Sequence, residues 1–265
     1  LYLTGHGKAG FNVAVWGEPE EPLVLDLIQG DVSAEADFDD FAFAGLHLTQ
    51  PELRRTAVLK YDSEAVKLEF NYAALHDTFS YKQNPDGLPS WFAINRFEQT
   101  GWVTGFLEFG DRRIEWDRVG HRDHSWGMRN WGVPHHWKWF ISYTPDGSRI
   151  VNGWIWIAKG EWGFGGYVVR DGELLPVSHI KHHAEYHDDM TQRRLEAELV
   201  DVRGETTQLT LDSFGVVKLP TNDSMGTIIM EAACRATIDG DEGAGQFETH
   251  WPTKYLEHLI AAQAS

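Results

Sequence analysis

Apolar and polar residues alternate with a period of two through most of this chain, in short runs bounded by turn dipeptides, and sustained helical spacing is nearly absent. The pattern predicts an all-β protein. In the first half, Phe11 to Trp16, Leu23 to Gln29, Thr56 to Tyr61 and Ala65 to Tyr72 read as strands, the last two joined at Asp62-Ser63. A hairpin series follows: Phe92 to Gln99, a turn at Gly101, Trp102 to Phe109, the Gly110-Asp111 turn, and Arg112 to Trp116. Ala34 to Phe43 fits a short helix or an acidic loop equally well.

In the second half, Trp137 to Thr144 turns at Pro145-Asp146-Gly147 into Ile150 to Ala158, then at Lys159-Gly160 into Gly165 to Arg170, with another strand after Asp171-Gly172. Asp-Gly supplies the positive φ angles that tight hairpins demand. The cleanest alternation is Arg194-Leu195-Glu196-Ala197-Glu198-Leu199, continued at Leu209 and Leu211. Further strands are expected at Gly215 to Leu219 and Thr227 to Ile238. Tyr255, Leu256, Leu259 and Ile260 share one face of a terminal helix. Consecutive meander hairpins favour barrels or β-sandwiches. The Gly/Pro-containing stretch between the halves sets the domains at residues 1–130 and 131–265.

With 265 residues, the chain can bury two such cores. Its net charge of −17 repels phosphate backbones and anionic lipid heads, so nucleic acid and membrane surfaces are poor partners. A hydrophobic small molecule suits it better. There is no membrane span, and the first residues do not read as a signal sequence, so a cytoplasmic protein is expected. The single cysteine, Cys234, rules out an internal disulfide and lies in an apolar run. Twelve tryptophans are enough to build a core or to line a pocket.

Arg, His, Asp and Trp are densest in Gly120-His121-Arg122-Asp123-His124-Ser125-Trp126-Gly127-Met128-Arg129-Asn130-Trp131, read as a loop between strands. Asp123 and His124 offer a carboxylate and an imidazole for proton transfer, although neighbours on a strand would point to opposite faces. Arg122 and Arg129 can pair with carboxylates such as Asp123 or Glu98, and Trp126 and Trp131 can supply apolar walls. Residue types alone equally allow a buried network that ties two domains together. Glu98 is either a pocket carboxylate or a rim residue paired to Arg96. His135-His136 and His182-His183 with His187 lack the spacing of a helical zinc site, and no metal is expected. Gly160 to Gly166 lacks the ending of a phosphate loop, and no Gly-x-Ser-x-Gly elbow is present.

The run Arg96-Phe97-Glu98-Gln99-Thr100-Gly101-Trp102-Val103-Thr104-Gly105, followed by Asp123-His124-Ser125-Trp126-Gly127, resembles the carotenoid hydratase (hydroxyneurosporene synthase) group and its lipocalin-like relatives. The resemblance implies tandem calycin barrels, no cofactor, and acid/base chemistry on a hydrophobic substrate held near the domain junction: hydration, dehydration, isomerisation or cyclisation. It makes Asp123 the candidate acid, with His124 beside it; the flanking arginines depart from the hydratase motif, and Arg122 or Arg129 is read here as orienting a substrate oxygen. Glu98, Tyr72, Trp126, Trp131, His135, Trp137, Trp139 and Trp156 are the candidate substrate-binding residues. The competing class is a non-catalytic carrier of hydrophobic ligands, which predicts a dry, aromatic pocket with no converging polar groups.

Overall fold

A computed structural model describes residues 1–17, 21–221 and 226–263. Its backbone folds as two units, Leu1–Asp77 with Thr100–Gly120 and Thr78–Gln99 with His121–Ser265. Residues 78–99 thus belong with the second unit, although they precede the 130/131 position where composition suggests a boundary. Among the described residues no helix is long and apolar enough to cross a membrane.

In the first unit, β1 (Tyr2–Leu3), β2 (Lys8–Val15) and β3 (Val24–Asp31) form a three-stranded sheet. The second sheet runs in the order β4 (Asp40–Phe43), β5 (Leu46–Thr49), β6 (Thr56–Asp62), β7 (Val66–Ala74), β8 (Asn95–Phe109) and β9 (Arg112–Trp126), of which residues 95–99 and 121–126 belong to the second unit. These two sheets are open, so of the barrel or β-sandwich alternatives a closed barrel is found in the second half only. Phe11, Phe41, Tyr61, Leu68, Leu107 and Phe109 anchor their shared core. The ambiguous stretch before Phe43 resolves into turns followed by β4.

Two local readings change here. Gly101 is no turn: β8 runs straight through it, and a Cβ there would come 2.3 Å from the Tyr72 ring. Glycine is needed because an aromatic ring on the neighbouring strand lies against the backbone. Likewise the Arg/His/Asp-rich segment is not a loop as far as Trp126, because β9 continues to that residue.

The second unit is a closed antiparallel barrel of β10 (Pro134–Tyr143), β11 (Arg149–Ala158), β12 (Glu161–Arg170), β13 (Glu173–Tyr186), β14 (Gln192–Asp201), β15 (Thr206–Pro220), β16 (Thr227–Ile238) and β17 (Asp241–Pro252). The predicted helix, α1 (Thr253–Gln263), packs on it through Leu256, Leu259 and Ile260. Strand β14 shows the alternation read from its sequence, with Leu195, Ala197 and Leu199 buried in the barrel interior and Glu196 exposed. Phe140, Val151, Val168, Leu211, Ala232 and Phe247 fill the same interior.

Strands β10 to β12 are buried on both faces, which explains their nearly continuous apolar sequence. Their outer face carries Trp137, Trp139, Ile141, Trp154 and Tyr167, covered by Phe79, Tyr81 and Phe92 from residues 78–99. Asn84 fastens that cover: its amide donates to the carbonyls of Gly166 and Val177, 2.9 Å each, and its side-chain oxygen accepts from Gly166 N at 3.0 Å.

Asn84 is buried, so losing all three bonds leaves backbone groups unpaired at about 1 kcal/mol each. Asn84→Ala is expected to lower the melting temperature by roughly 6 to 12 °C in a calorimetric scan. An unchanged melting temperature would show that the cover is held elsewhere.

Candidate active site on the outer face of the barrel

All of the site lies within the second unit. Where β8 leaves residues 78–99, Phe79 and Glu98 exchange two backbone hydrogen bonds of 2.9 Å, which fixes the height of the Glu98 side chain. Alternation then sorts the motif: Arg96, Glu98, His121, Asp123 and Ser125 share one face, and Phe97, Gln99, Arg122, His124 and Trp126 share the other.

Glu98 is the centre of the first face, fully buried rather than at a rim. Its Oε1 accepts from Arg96 Nε at 2.6 Å, Tyr81 Oη at 2.9 Å and Trp139 Nε1 at 3.2 Å. Its Oε2 meets His121 Nε2 at 2.8 Å. Burial alone would push this carboxyl up, but the Arg96 guanidinium and His121 outweigh it and hold Glu98 below the usual carboxylate range. Tyr81 also reaches Asn152 Oδ1 at 3.0 Å, and burial and the Glu98 charge drive its hydroxyl well above the usual phenol range. Arg96 completes a bridge, with its Nη2 3.1 Å from Asp123 Oδ2.

The expected Asp123–His124 pair is therefore split. Asp123 faces Arg96 with 41% of its side chain exposed, whereas His124 stacks on Phe97 (ring centroids 5.7 Å apart) and tilts against Trp126 on the opposite face. The histidine that meets a carboxylate is His121. Arg122 also points away, donating from Nε and Nη2 to Gln99 Oε1 at 3.1 and 2.7 Å. Arg129 stays on the site's side, donating to Ser125 Oγ at 2.8 Å, with its guanidinium 4.0 Å from the Phe92 centroid and 4.9 Å from that of Trp131. Burial and the nearby Arg96 bring it down to about 10, so it remains charged at neutral pH.

Across from these residues, β16 and β17 contribute a pair that the sequence reading passed over. Glu231 and Glu248 are directly opposed in register, on the outer face of the barrel with Trp137 and Trp139. Gln246 Nε2 donates to Glu231 at 2.7 Å and Trp137 Nε1 donates to Glu248. Both carboxyls lie deep in the protein yet keep a partly accessible edge. Burial and their mutual repulsion push Glu231 well above the carboxylate range, and burial raises Glu248 as well. Each carboxyl makes ionisation of the other harder, so the pair loses its last proton at a higher pH than an isolated glutamate would. Arg96 and Asp123 are close enough to act on Glu248, and Asp123 on Glu231.

The walls are aromatic. Trp137 stacks on His250 at 4.0 Å and on Trp131 at 5.8 Å, Trp139 lies against His121, and Trp156 packs on Trp91 and Trp154. Of the other expected residues, Trp126 is 39% exposed on the far face and His135 is exposed, so neither joins the cluster. Tyr72 belongs to the first unit, where it lines a shallow depression of about 380 Å³ with Asn71, Trp102 and Thr104. A charged residue inside the apolar run Ile228-Ile229-Met230-Glu231-Ala232 was the available sign of the glutamate pair. Tyr81 gave none.

The fold recurs in solved structures. A protein of Nitrosomonas europaea named as an AttH candidate is 15% identical, with a TM-score of 0.56 over 85% of this chain and 75% of that one. Kievitone hydratase from Nectria haematococca is 11% identical, with a TM-score of 0.59 over 91% of this chain and 81% of its own. CghA in complex with Sch210972 is 14% identical, with a TM-score of 0.53 over 77% and 66%. At these identities the likeness is one of fold. No curated protein sequence matches the chain. A family model covers residues 1–253, and the chain accordingly belongs to the family described as Domain of unknown function (DUF7064).

Proposed function

We propose that this protein is an acid/base enzyme of the hydratase, lyase, isomerase or cyclase type, acting on an uncharged hydrophobic small molecule of terpenoid, steroid, polyketide or aromatic character. The observation that carries this reading is the opposed carboxyl pair Glu231 and Glu248, raised by burial, on an indole-lined surface opposite the Arg96–Asp123 ion pair. The kinship of fold with a hydratase supports it.

An acid that protonates a carbon–carbon double bond or a departing hydroxyl must stay protonated at working pH, which requires a raised pKa. The glutamate pair meets that requirement. Asp123 is committed to a guanidinium, so it takes the complementary role of accepting a proton from attacking water or from a neighbouring carbon. Positive charge developing on the substrate would be stabilised by the faces of Trp131, Trp137 and Trp139 and by the carboxylates. Buried Glu98 reaches the reaction by holding Arg96 and His121 in position. The convergence of Arg96, Arg129, His121 and three carboxyls supports an enzyme over a carrier, for which a dry pocket would suffice.

Three expectations follow from this assignment. In D2O, a panel of hydrophobic alkenes and tertiary alcohols incubated with the protein should acquire carbon-bound deuterium, and Glu231→Gln or Glu248→Gln should slow this by about 10²-fold or more. Activity should fall as pH rises through the raised pKa of the pair, since the acid form is lost. Asp123→Asn should also abolish net turnover; full loss in that variant with normal turnover in both glutamine variants would return the acid role to Asp123.

Arg96→Met removes the cation from a buried carboxylate and should destabilise the protein by about 3 to 5 kcal/mol. Chemical denaturation measures this. A change below about 1 kcal/mol would mean that the ion pair is not the frame of the site.

A further inference from the structure

Among the described residues the backbone ladder of the barrel is short between β12 and β13, and the residues that face inward there lie on the side of the strands opposite to the carboxylate pair. β12 and β13 pair only from Tyr167↔Pro176 to Arg170↔Glu173, although β12 starts at Glu161 and β13 continues to Tyr186. Asn84 bridges the first step of this split, and Asp86 Oδ2 caps the β12 edge at the next, accepting from Phe164 N at 2.9 Å. Beyond it, the register sets two rows of inward-facing residues. The outer row holds His136, Ile157 and Trp162, and the next row holds Lys138, Ile155 and Phe164.

The outer row is an apolar rim, with Ile157 40% and Trp162 62% exposed. One step inside, Lys138 lies on the face of Phe140, which belongs to the interior core. His136 and, from β13, His182 lie close enough to interact with it electrostatically, and His183 adjoins His182. No acidic side chain among the described residues pairs with Lys138, in a chain with 40 Asp and Glu against 23 Lys and Arg. His136 Nε2 and Tyr186 Oη are buried at this end without a partner among the described residues, on either side of Trp251. Burial brings the Lys138 ammonium down to about 8 and His182 down to about 4. A largely buried cation that has hydrogen-bond donors but no counter-charge around it is destabilising until an anion joins it.

We propose that this split is a second binding site, for a medium-chain organic acid whose carboxylate pairs with Lys138 and whose hydrocarbon lies against Ile155, Ile157, Trp162 and Phe164. The neutral substrate of the outer-face site and this anionic ligand differ in chemistry, so the two sites are tested separately.

Calorimetric titration of the whole chain with octanoate and with 1-octanol decides the matter. Octanoate should bind at least about ten-fold more tightly than 1-octanol, and Lys138→Met should erase the difference. Trp162→Ala should weaken both. Between about pH 7 and about pH 9.5, octanoate affinity should fall as the ammonium loses its proton, while His136 and His182, already neutral through burial and the nearby Lys138, contribute no change. Lys138→Met should keep or raise the melting temperature, because it removes an unpaired charge. Absence of octanoate binding, equal binding of the alcohol, an unchanged preference in Lys138→Met, or a lowered melting temperature in that variant would each overturn the site.

Discussion

A single buried carboxylate organises the second unit. Glu98 can remain ionised without water only because Arg96, His121, Tyr81 and Trp139 surround it with donors, and those donors come from β8, β9, β10 and residues 78–99. Removing Arg96 leaves an uncompensated charge in the interior, and removing any other donor leaves a carboxylate oxygen short of a partner, so these four segments must come together as a set. Since Tyr81 also binds Asn152 and Arg96 also binds Asp123, the constraint spreads from the barrel's outer wall to the solvent edge of the site. The arrangement settles which groups are rigid and which are open: Glu98 is wholly enclosed, whereas Asp123 keeps accessible surface.

This frame explains how two kinds of carboxyl coexist within one site. Glu98 is held below the carboxylate range by Arg96 and the His121 hydrogen bond; Glu231 and Glu248, beside each other with an indole and an amide, are raised above it by burial. Environment rather than residue type separates them, as acid/base chemistry near neutrality requires. The aliphatic and phenyl cluster inside the barrel plays no part in this division.

Much of the fold was readable because turns and alternation are local. Gly110, Gly147 and Gly172 adopt positive φ where Asp-Gly and Gly-Asp turns were expected, and β14 alternates as its sequence does. The motif from Gly120 to Trp131 was readable as chemistry but not as geometry. Taken as a loop, it left Asp123 and His124 free to meet; as the strand β9, it sends them to opposite faces and puts His121 beside Glu98 instead. Glu98 was legible as a carboxylate in an aromatic run, but its depth was not, because the covering segment lies on both sides of it in sequence. Glu231 and Glu248 are brought together by the register of β16 and β17, and they meet Arg96 only through tertiary folding over more than a hundred residues, which no local pattern encodes.

The central claim is that the glutamate pair carries a proton at neutral pH. Infrared spectroscopy of the protein with carboxyl-labelled glutamate reads this directly. A protonated-carboxyl stretch present at neutral pH, shifted by the label and absent from Glu231→Gln, is the result predicted here. A spectrum at that pH containing only ionised glutamate would contradict it.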